Sequence, residues 1–295
     1  MLFSTRTLLL ALATTALGHV TSPRRGRCAQ DDPSESNIAE MERMAEDARL
    51  HPMVRVNASN ATLELDIYFH VISTGPSVAE GNLGNGTLMN QLNVINKDYA
   101  PAGIKYTLRN VTRTVNAAWY GVTMGSAAEM AMKKSLRRGT YRDINVYFAR
   151  LSGGVLGWCT FPEVNPTAHM RTRDGCVVAS QSLPGGIKPY NLGRTLTHEL
   201  GHWHSLYHTF QGGCTATNDR VEDTPAERGP TYGCPKTNPD TCTGARFPGV
   251  DPIHNFMDYT DDICMNEFTP GQVTRMFQAF ARMRGAARGG YYPQY

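Results

Sequence analysis

The sequence predicts an α/β chain in which a mixed sheet is backed by helices and followed by an irregular C-terminal half. Three observations carry this. Two alternating runs of β-forming residues, Leu63–Ile72 and Ile104–Val111, flank a stretch of helical periodicity. Two more short β runs precede a long helical stretch at 192–206. From His208 to Phe268 the periodicity dissolves into Pro, Gly, Asp and Thr, with four cysteines. At 295 residues and 41% hydrophobic, the chain is long and apolar enough to bury a sizeable core.

The elements follow in order. Ser34–Leu50 reads as a helix, with Ser36 as cap and Ile38, Met41, Met44 and Ala45 spaced along one face. Leu63, Leu65, Ile67, Phe69 and Val71 alternate, as in a half-buried strand. Leu88, Leu92, Ile95 and Tyr99 share a helical face. Ile104–Val111 alternates again, and Ala127–Leu136 is helical, with Gly139 placed to stop it. Ile144–Ala149 and Cys176–Ser180 are short β runs, and the glycine-rich Gly153–Phe161 between them suits an edge strand. Thr269–Arg284 closes the order as an amphipathic helix, with Thr269 as cap, Pro270 at the first helical position and Val273, Met276, Phe277 and Phe280 inward.

Charge removes several function classes. Lys+Arg 29 against Asp+Glu 26 leaves a net charge of +3, and Arg24, Arg25 and Arg27 near the N-terminus carry that excess. There is no basic stripe such as nucleic acid requires. No apolar run past residue 20 is long enough to span a bilayer. The sequence has neither a phosphate-binding P-loop nor a G-x-S-x-G elbow.

The N-terminus reads as a secretory leader. Arg6 supplies the positive region, Leu8–Leu17 the apolar one, and Ala16 and Gly18 the small residues before a cut at His19. Seven cysteines suit the oxidising compartment such a leader implies. Four N-x-S/T sequons, at Asn57, Asn60, Asn85 and Asn110, are expected glycosylation sites. The chain is therefore expected to be secreted and extracellular.

The chemistry concentrates in Thr197-His198-Glu199-Leu200-Gly201-His202-Trp203-His204-Ser205-Leu206-Tyr207-His208. His198 and His202 lie one helical turn apart, so both imidazoles project from one face and reach one ion at ~2.0–2.1 Å. Glu199 is displaced from that face and is expected to touch water rather than metal. A catalytic Zn2+ takes three protein ligands and keeps one position open. His208 supplies the third if the helix ends near Ser205 and the chain turns back. A zinc ion there polarises a carbonyl and lowers the pKa of water towards ~7, with Glu199 as general base. His204 lies on a different helical face, as a supporting or surface group.

H-E-x-x-H-x-x-x-x-x-H with a downstream methionine turn resembles the metzincin clan of metalloproteases. The flanking segments Gly201–Trp203, Leu206–Cys214, Asp223–Glu227 and Asp251–Tyr259 resemble the pappalysin family, and within it the secreted fungal extracellular metalloproteases. The resemblance implies a metzincin fold: an α/β subdomain with a twisted, mostly parallel sheet and an active-site helix, then a smaller irregular subdomain, with peptide or protein substrates bound between them. It divides the chain into a leader 1–18, a pro-like segment 19–46, an N-terminal catalytic subdomain 47–205 and a C-terminal subdomain 206–295.

It also implies Met257 as the methionine floor beneath the histidines and Tyr259 as an oxyanion donor. Asp262 would line a pocket for Arg or Lys on the primed side. Ser205 departs from the pattern, because the family has glycine where the helix ends in a positive-φ turn. A non-glycine residue there costs ~1 kcal/mol.

Cys159 and Cys176 bracket one loop and are paired in this reading; Cys214, Cys234, Cys242 and Cys264 allow three connectivities. The resemblance favours Cys234–Cys264, which leaves Cys214–Cys242. Closing a loop of ~30 residues is worth about 3–4 kcal/mol in the chain-entropy model. Cys28 is left over; by analogy with metzincin zymogens its thiolate caps the zinc and keeps the enzyme latent, and the neighbouring arginines are processing sites. Asp219, Glu222, Asp223 and Thr224 offer the hard oxygens that suit Ca2+, and suit a solvated acidic loop equally. Two competing readings stand beside the endopeptidase. One is a catalytically impaired zinc-binding glycoprotein acting as a binding module, for which Ser205 and His204 speak. The other takes a downstream glutamate as third ligand. Oligomeric state has no signature in the sequence.

Overall fold

A computed structural model describes residues 27–29, 33–50 and 62–285. The expected leader at 1–18 and the sequons at Asn57 and Asn60 lie outside these residues.

Five strands form one sheet in the order β2-β1-β3-β5-β4. β1 (Leu63–Ser73) pairs in parallel with β2 (Ile104–Val115) and with β3 (Ile144–Ala149). β3 pairs in parallel with β5 (Cys176–Ala179), and β4 (Gly157–Cys159) closes the far edge antiparallel to β5. The sheet is thus mixed and mostly parallel, with the glycine-rich segment as its edge strand. All six residues of β3 are buried, as a central parallel strand covered on both faces requires.

The side-chain alternation of β1 sorts the two faces. Leu63, Leu65, Ile67, Phe69 and Val71 join the main core with α2 (Asn85–Tyr99), α6 (Arg194–Trp203) and α7 (Pro270–Ala279). Ile72, Tyr147, Val177 and Ala179 meet Val122 and α4 (Ala127–Leu136) on the other face. Two short helices, α3 (Ala117–Tyr120) and α5 (Ala168–Arg173), carry no long apolar pattern and were not expected. Asn85 opens α2 and Asn110 sits on the edge strand β2; both are exposed.

Three expectations need correction. α1 (Glu35–Leu50) is capped by Ser34, whose Oγ accepts the Asn37 N–H at 3.0 Å, while Ser36 donates to Glu163. The expected division between residues 46 and 47 falls inside α1: the polar sequence before residue 34 suggested an early boundary, yet the helical periodicity runs on to Leu50. Met41 and Met44, both 0% exposed, dock α1 onto Tyr207, Ala279 and Met283. The final helix obeys its predicted cap, with Thr269 and Gln272 exchanging hydrogen bonds, but from Phe280 to Arg284 it widens into a π-turn. There Arg284 lies 3.6 Å over the Trp203 ring and bonds buried Asp174 at 2.9 Å, tying the C-terminal end to the helix that carries the histidines.

Candidate active site

α6 is held at its first turn by α2. Asp98 accepts from Thr197 Oγ1 (2.7 Å) and Arg194 (3.2 Å), Tyr99 O–H donates to the Thr197 carbonyl, and Gln91 donates to Gly193 O. Leu196, Leu200 and Trp203 face the core, which fixes the rotation of the helix. His198, Glu199 and His202 are each 0% exposed.

The helix ends at Trp203 in a Schellman turn: Leu206 N–H bonds Gly201 O and Ser205 N–H bonds His202 O, both at 2.9 Å. Ser205 takes the left-handed position, φ 73°, that glycine would occupy without strain. The reversal delivers two things. Leu206 O meets His202 Nδ1 at 2.8 Å, and His208 Nε2 arrives 3.1 Å from His202 Nε2. His198 Nδ1 likewise meets Phe256 O at 2.7 Å. A carbonyl can only accept, so both Nδ1 atoms carry the proton and both Nε2 lone pairs are free. His198 Nε2 is buried without a hydrogen-bond partner. Burial drives the pKa of all three imidazoles down, His202 to about 4, which keeps them neutral as ligation requires. Two nitrogens at ~2.0–2.1 Å from one tetrahedral ion would stand about 3.3 Å apart, close to the spacing found. The donor set fits a metal.

Three packing contacts frame this cluster. Phe210 stacks on His208, centroids 4.8 Å apart and 6° from parallel. Met257 lies beneath α6, so a Cβ at Gly201 would stand 2.3 Å from its Sδ. A Cβ at Gly157 on β4 would stand 2.9 Å from Glu199 Cγ. Both glycines permit a close approach that no local sequence signal announced, since the partner in each case is distant in the chain. Burial raises the Glu199 carboxyl to about 8; its Oε1 has no partner and its Oε2 accepts from Cys28 Sγ at 3.3 Å. Tyr259 stands beside His198 and His208 and donates to the Cys28 carbonyl at 3.2 Å.

Residues 27–29 run through the cleft as an added strand. Leu156 N–H donates to Arg27 O (3.1 Å) and Ala29 N–H to Gly157 O (2.9 Å). The Cys28 sulfur joins His198, His202 and His208, with all four ligand atoms within 4.8 Å of one another. Arg27, read above as a processing site, is instead fully buried: it bonds Asp262 at 2.7 Å and Thr260 O at 2.6 Å, with Tyr190 at 5.0 Å from the guanidinium. Asp262 is 0% exposed, and its second oxygen accepts from Leu192 N–H at 2.8 Å. Asp261 is only partly buried.

His204 is not a surface group. It is buried against Trp203 with Nε2 3.0 Å from Tyr106 O–H, on the side of the helix away from the cluster. In the acidic loop expected to suit calcium or solvent, Asp219 Oδ2 and Thr224 Oγ1 are buried without a hydrogen-bond partner. Asp223 accepts from Thr269 Oγ1 and Gly271 N–H at the start of α7, and Glu222 is exposed. Among the described residues, the group of three or more metal-binding side chains that converges is Cys28, His198, His202 and His208. Cys159–Cys176, Cys214–Cys242 and Cys234–Cys264 are disulfide-bonded, and Cys28 is free.

Residues 144–281 match the peptidase M43 family model, described as pregnancy-associated plasma protein-A. An extracellular metalloprotease of Pyricularia oryzae is 45% identical over 282 residues, covering 95% of this chain and 97% of its own. The chain belongs to this pappalysin-like family of metalloproteases. Extracellular metalloprotease 1 of Coccidioides posadasii is 48% identical over 226 residues, 76% of this chain and 79% of its own. Among solved structures, mature mirolysin of Tannerella forsythia in complex with a cleaved peptide has a TM-score of 0.60 and 28% identity, covering 74% of this chain and 91% of that one. The fold is that of a metzincin and the protein is a metal-dependent protease.

Proposed function

We propose that the chain is a secreted zinc endopeptidase made as a latent precursor. One observation carries the hydrolytic reading: three buried, neutral imidazoles converge with the orphaned His198 Nε2 among them, and the Glu199 carboxyl stands 3.3 Å from the Cys28 sulfur that joins them. His198, His202 and His208 would hold the ion. Zinc, when bound, supplies a Lewis acid that polarises the scissile carbonyl and acidifies water. Glu199 takes the proton of the attacking water and returns it to the leaving amine. Tyr259, with its hydroxyl at the mouth of the cluster, donates to the carbonyl oxygen as negative charge grows there. Met257 fixes the floor against which α6 packs at Gly201. Asp262 binds a basic side chain just beyond the scissile bond, and Arg27 is the model for that guest.

The same contacts support latency. Cys28 occupies the approach to the histidines, and the segment shares the edge of β4 with any incoming peptide. Maturation would then remove the segment through α1. Secretion is supported by the extracellular relatives, the leader-like N-terminus and the sequons, of which Asn85 and Asn110 are exposed. What speaks against the impaired-binder reading is that His208 reaches the cluster with Ser205 at positive φ.

The test is a peptide-library digest by matured protein, with and without chelator, beside metal analysis. One equivalent of zinc, cleavage before Arg or Lys, and loss of both cleavage with chelator and turnover in Glu199→Gln are expected. Metal-free protein, or cleavage indifferent to chelator, would overturn the reading.

A further inference from the structure

A groove of about 610 Å³ opens beside the Asp262 pocket, and nothing in the reaction described above uses it. Its walls include Leu156, Gly154 and Gly153 on one side and Ser180, Gln181 and Ile187 on the other. Both walls continue those of the cleft. Leu156 is the residue that holds Arg27 O, and the loop from Ser180 onward reaches Tyr190 and Leu192, which line the Asp262 pocket. Arg27 is held at Leu156 and Cys28 lies beside Gly157, so the wall that runs back from Leu156 to residue 153 leads away from the histidines, past the Asp262 pocket. The groove therefore follows the Asp262 pocket on the same side of the scissile bond.

The charge in this groove is one-sided. Arg150 is the charged residue on its wall, no carboxylate lines it, and among the described residues the Arg150 guanidinium has no ion-pair or hydrogen-bond partner. Its backbone is anchored, with the N–H donating to Tyr120 O at 2.9 Å at the end of β3, so the side chain projects from a rigid element. Gln181 and Ser152 add neutral donors. A planar fork of donors with no internal acceptor suits a carboxylate.

We propose that this groove is a substrate subsite for a carboxylate, at the second or third residue beyond the scissile bond, with Arg150 as the specificity-determining residue. The carboxylate comes either from an Asp or Glu side chain or from the free C-terminus of a short peptide. The proposal rests on the peptidase reading above and adds a second requirement to it: a basic residue at the bond, then an acid one or two residues on. The pair would be partly exposed, which sets its worth at about two- to fivefold in kcat/KM at low salt.

The experiment uses enzyme expressed as the full chain and purified after maturation. Peptides with Arg in the Asp262 pocket carry Glu or Gln at each of the next two positions, C-terminally amidated or free. Glu over Gln by about two- to fivefold in amidated peptides is expected, shrinking at high ionic strength. Faster cleavage of free than of amidated peptides, with Glu and Gln equal, would assign the terminus as the source. Arg150→Ala should abolish the preference, bringing the two rates together; Arg150→Glu should reverse it. Equal rates for Glu and Gln together with equal rates for free and amidated peptides, or a preference that survives Arg150→Ala, would overturn the proposal. Binding of the same peptides to zinc-loaded Glu199→Gln enzyme reads the subsite without turnover, so a failure of the hydrolytic reading would be seen separately.

Discussion

Removing Arg27 should awaken the uncut precursor. Its guanidinium and the Asp262 carboxylate are both 0% exposed and 2.7 Å apart, so solvent screening is negligible. Deleting one partner of such a buried pair costs about 3–5 kcal/mol, largely because the other charge stays buried and unpaired. Asp262 keeps the Leu192 N–H at 2.8 Å and the Arg194 N–H at 3.3 Å, which places Arg27→Ala near the lower end, about 3 kcal/mol. At 1.4 kcal/mol per decade, the cleft should be open about a hundredfold more often. The assay is hydrolysis of a fluorogenic peptide with a basic residue after the cleaved bond, by zinc-loaded precursor, with chain length checked before and after. About a hundredfold higher initial rate in Arg27→Ala, with the chain intact, is expected, and Arg27→Lys should fall between. A variant that binds zinc, melts like the parent and stays as inert as the unprocessed parent would refute the claim that the Arg27–Asp262 pair holds the segment in place.

Three further outcomes follow from buried contacts. Gly201→Ala places a Cβ 2.3 Å from Met257 Sδ and should cost about 1–3 kcal/mol, read as a lower Tm that Met257→Ala partly restores. Ser205→Gly removes a left-handed serine and should add about 1 kcal/mol, raising Tm by about 2–4 °C with zinc content unchanged. Burial and the neighbouring Asp258 charge raise Glu227 to about 8, and burial raises Asp258 to about 7. Both folded values exceed the ordinary carboxylate range. The native state therefore holds protons that the unfolded chain has released, and the stability they contribute is full below about pH 4 and lost as pH rises through 7 and 8. Tm should fall over that window, and Glu227→Gln should flatten the fall; an unchanged slope would count against the shifts.

Much of this protein is written in local patterns. Alternation along Leu63–Val71 and Ile104–Val111, the short β run Ile144–Ala149 and the Thr269-Pro270 start marked their elements, because side-chain period and capping act over a few residues. The i, i+4 spacing of His198 and His202 and the reversal needed for His208 were also legible, since a helix and one turn suffice to bring them together.

Other features depend on which distant group comes to rest beside a residue. Arg27 read as a processing signal until the fold set Asp262 against it, 235 residues away. Asp223 read as a calcium ligand or a solvated carboxylate, and only the fold set the start of α7 against it with donors for both its oxygens. His204 read as a supporting or surface group until Tyr106 covered it, and Gly157 and Gly201 gave no sign of the Glu199 and Met257 side chains that exclude a Cβ. The sequence alone determined the longer elements and brought the three imidazoles together, because those rest on backbone periodicity and one turn. The tertiary structure decided the occupant of the cleft and the partner of each buried charge, because burial leaves a polar group bound to whatever donor or acceptor the packing supplies.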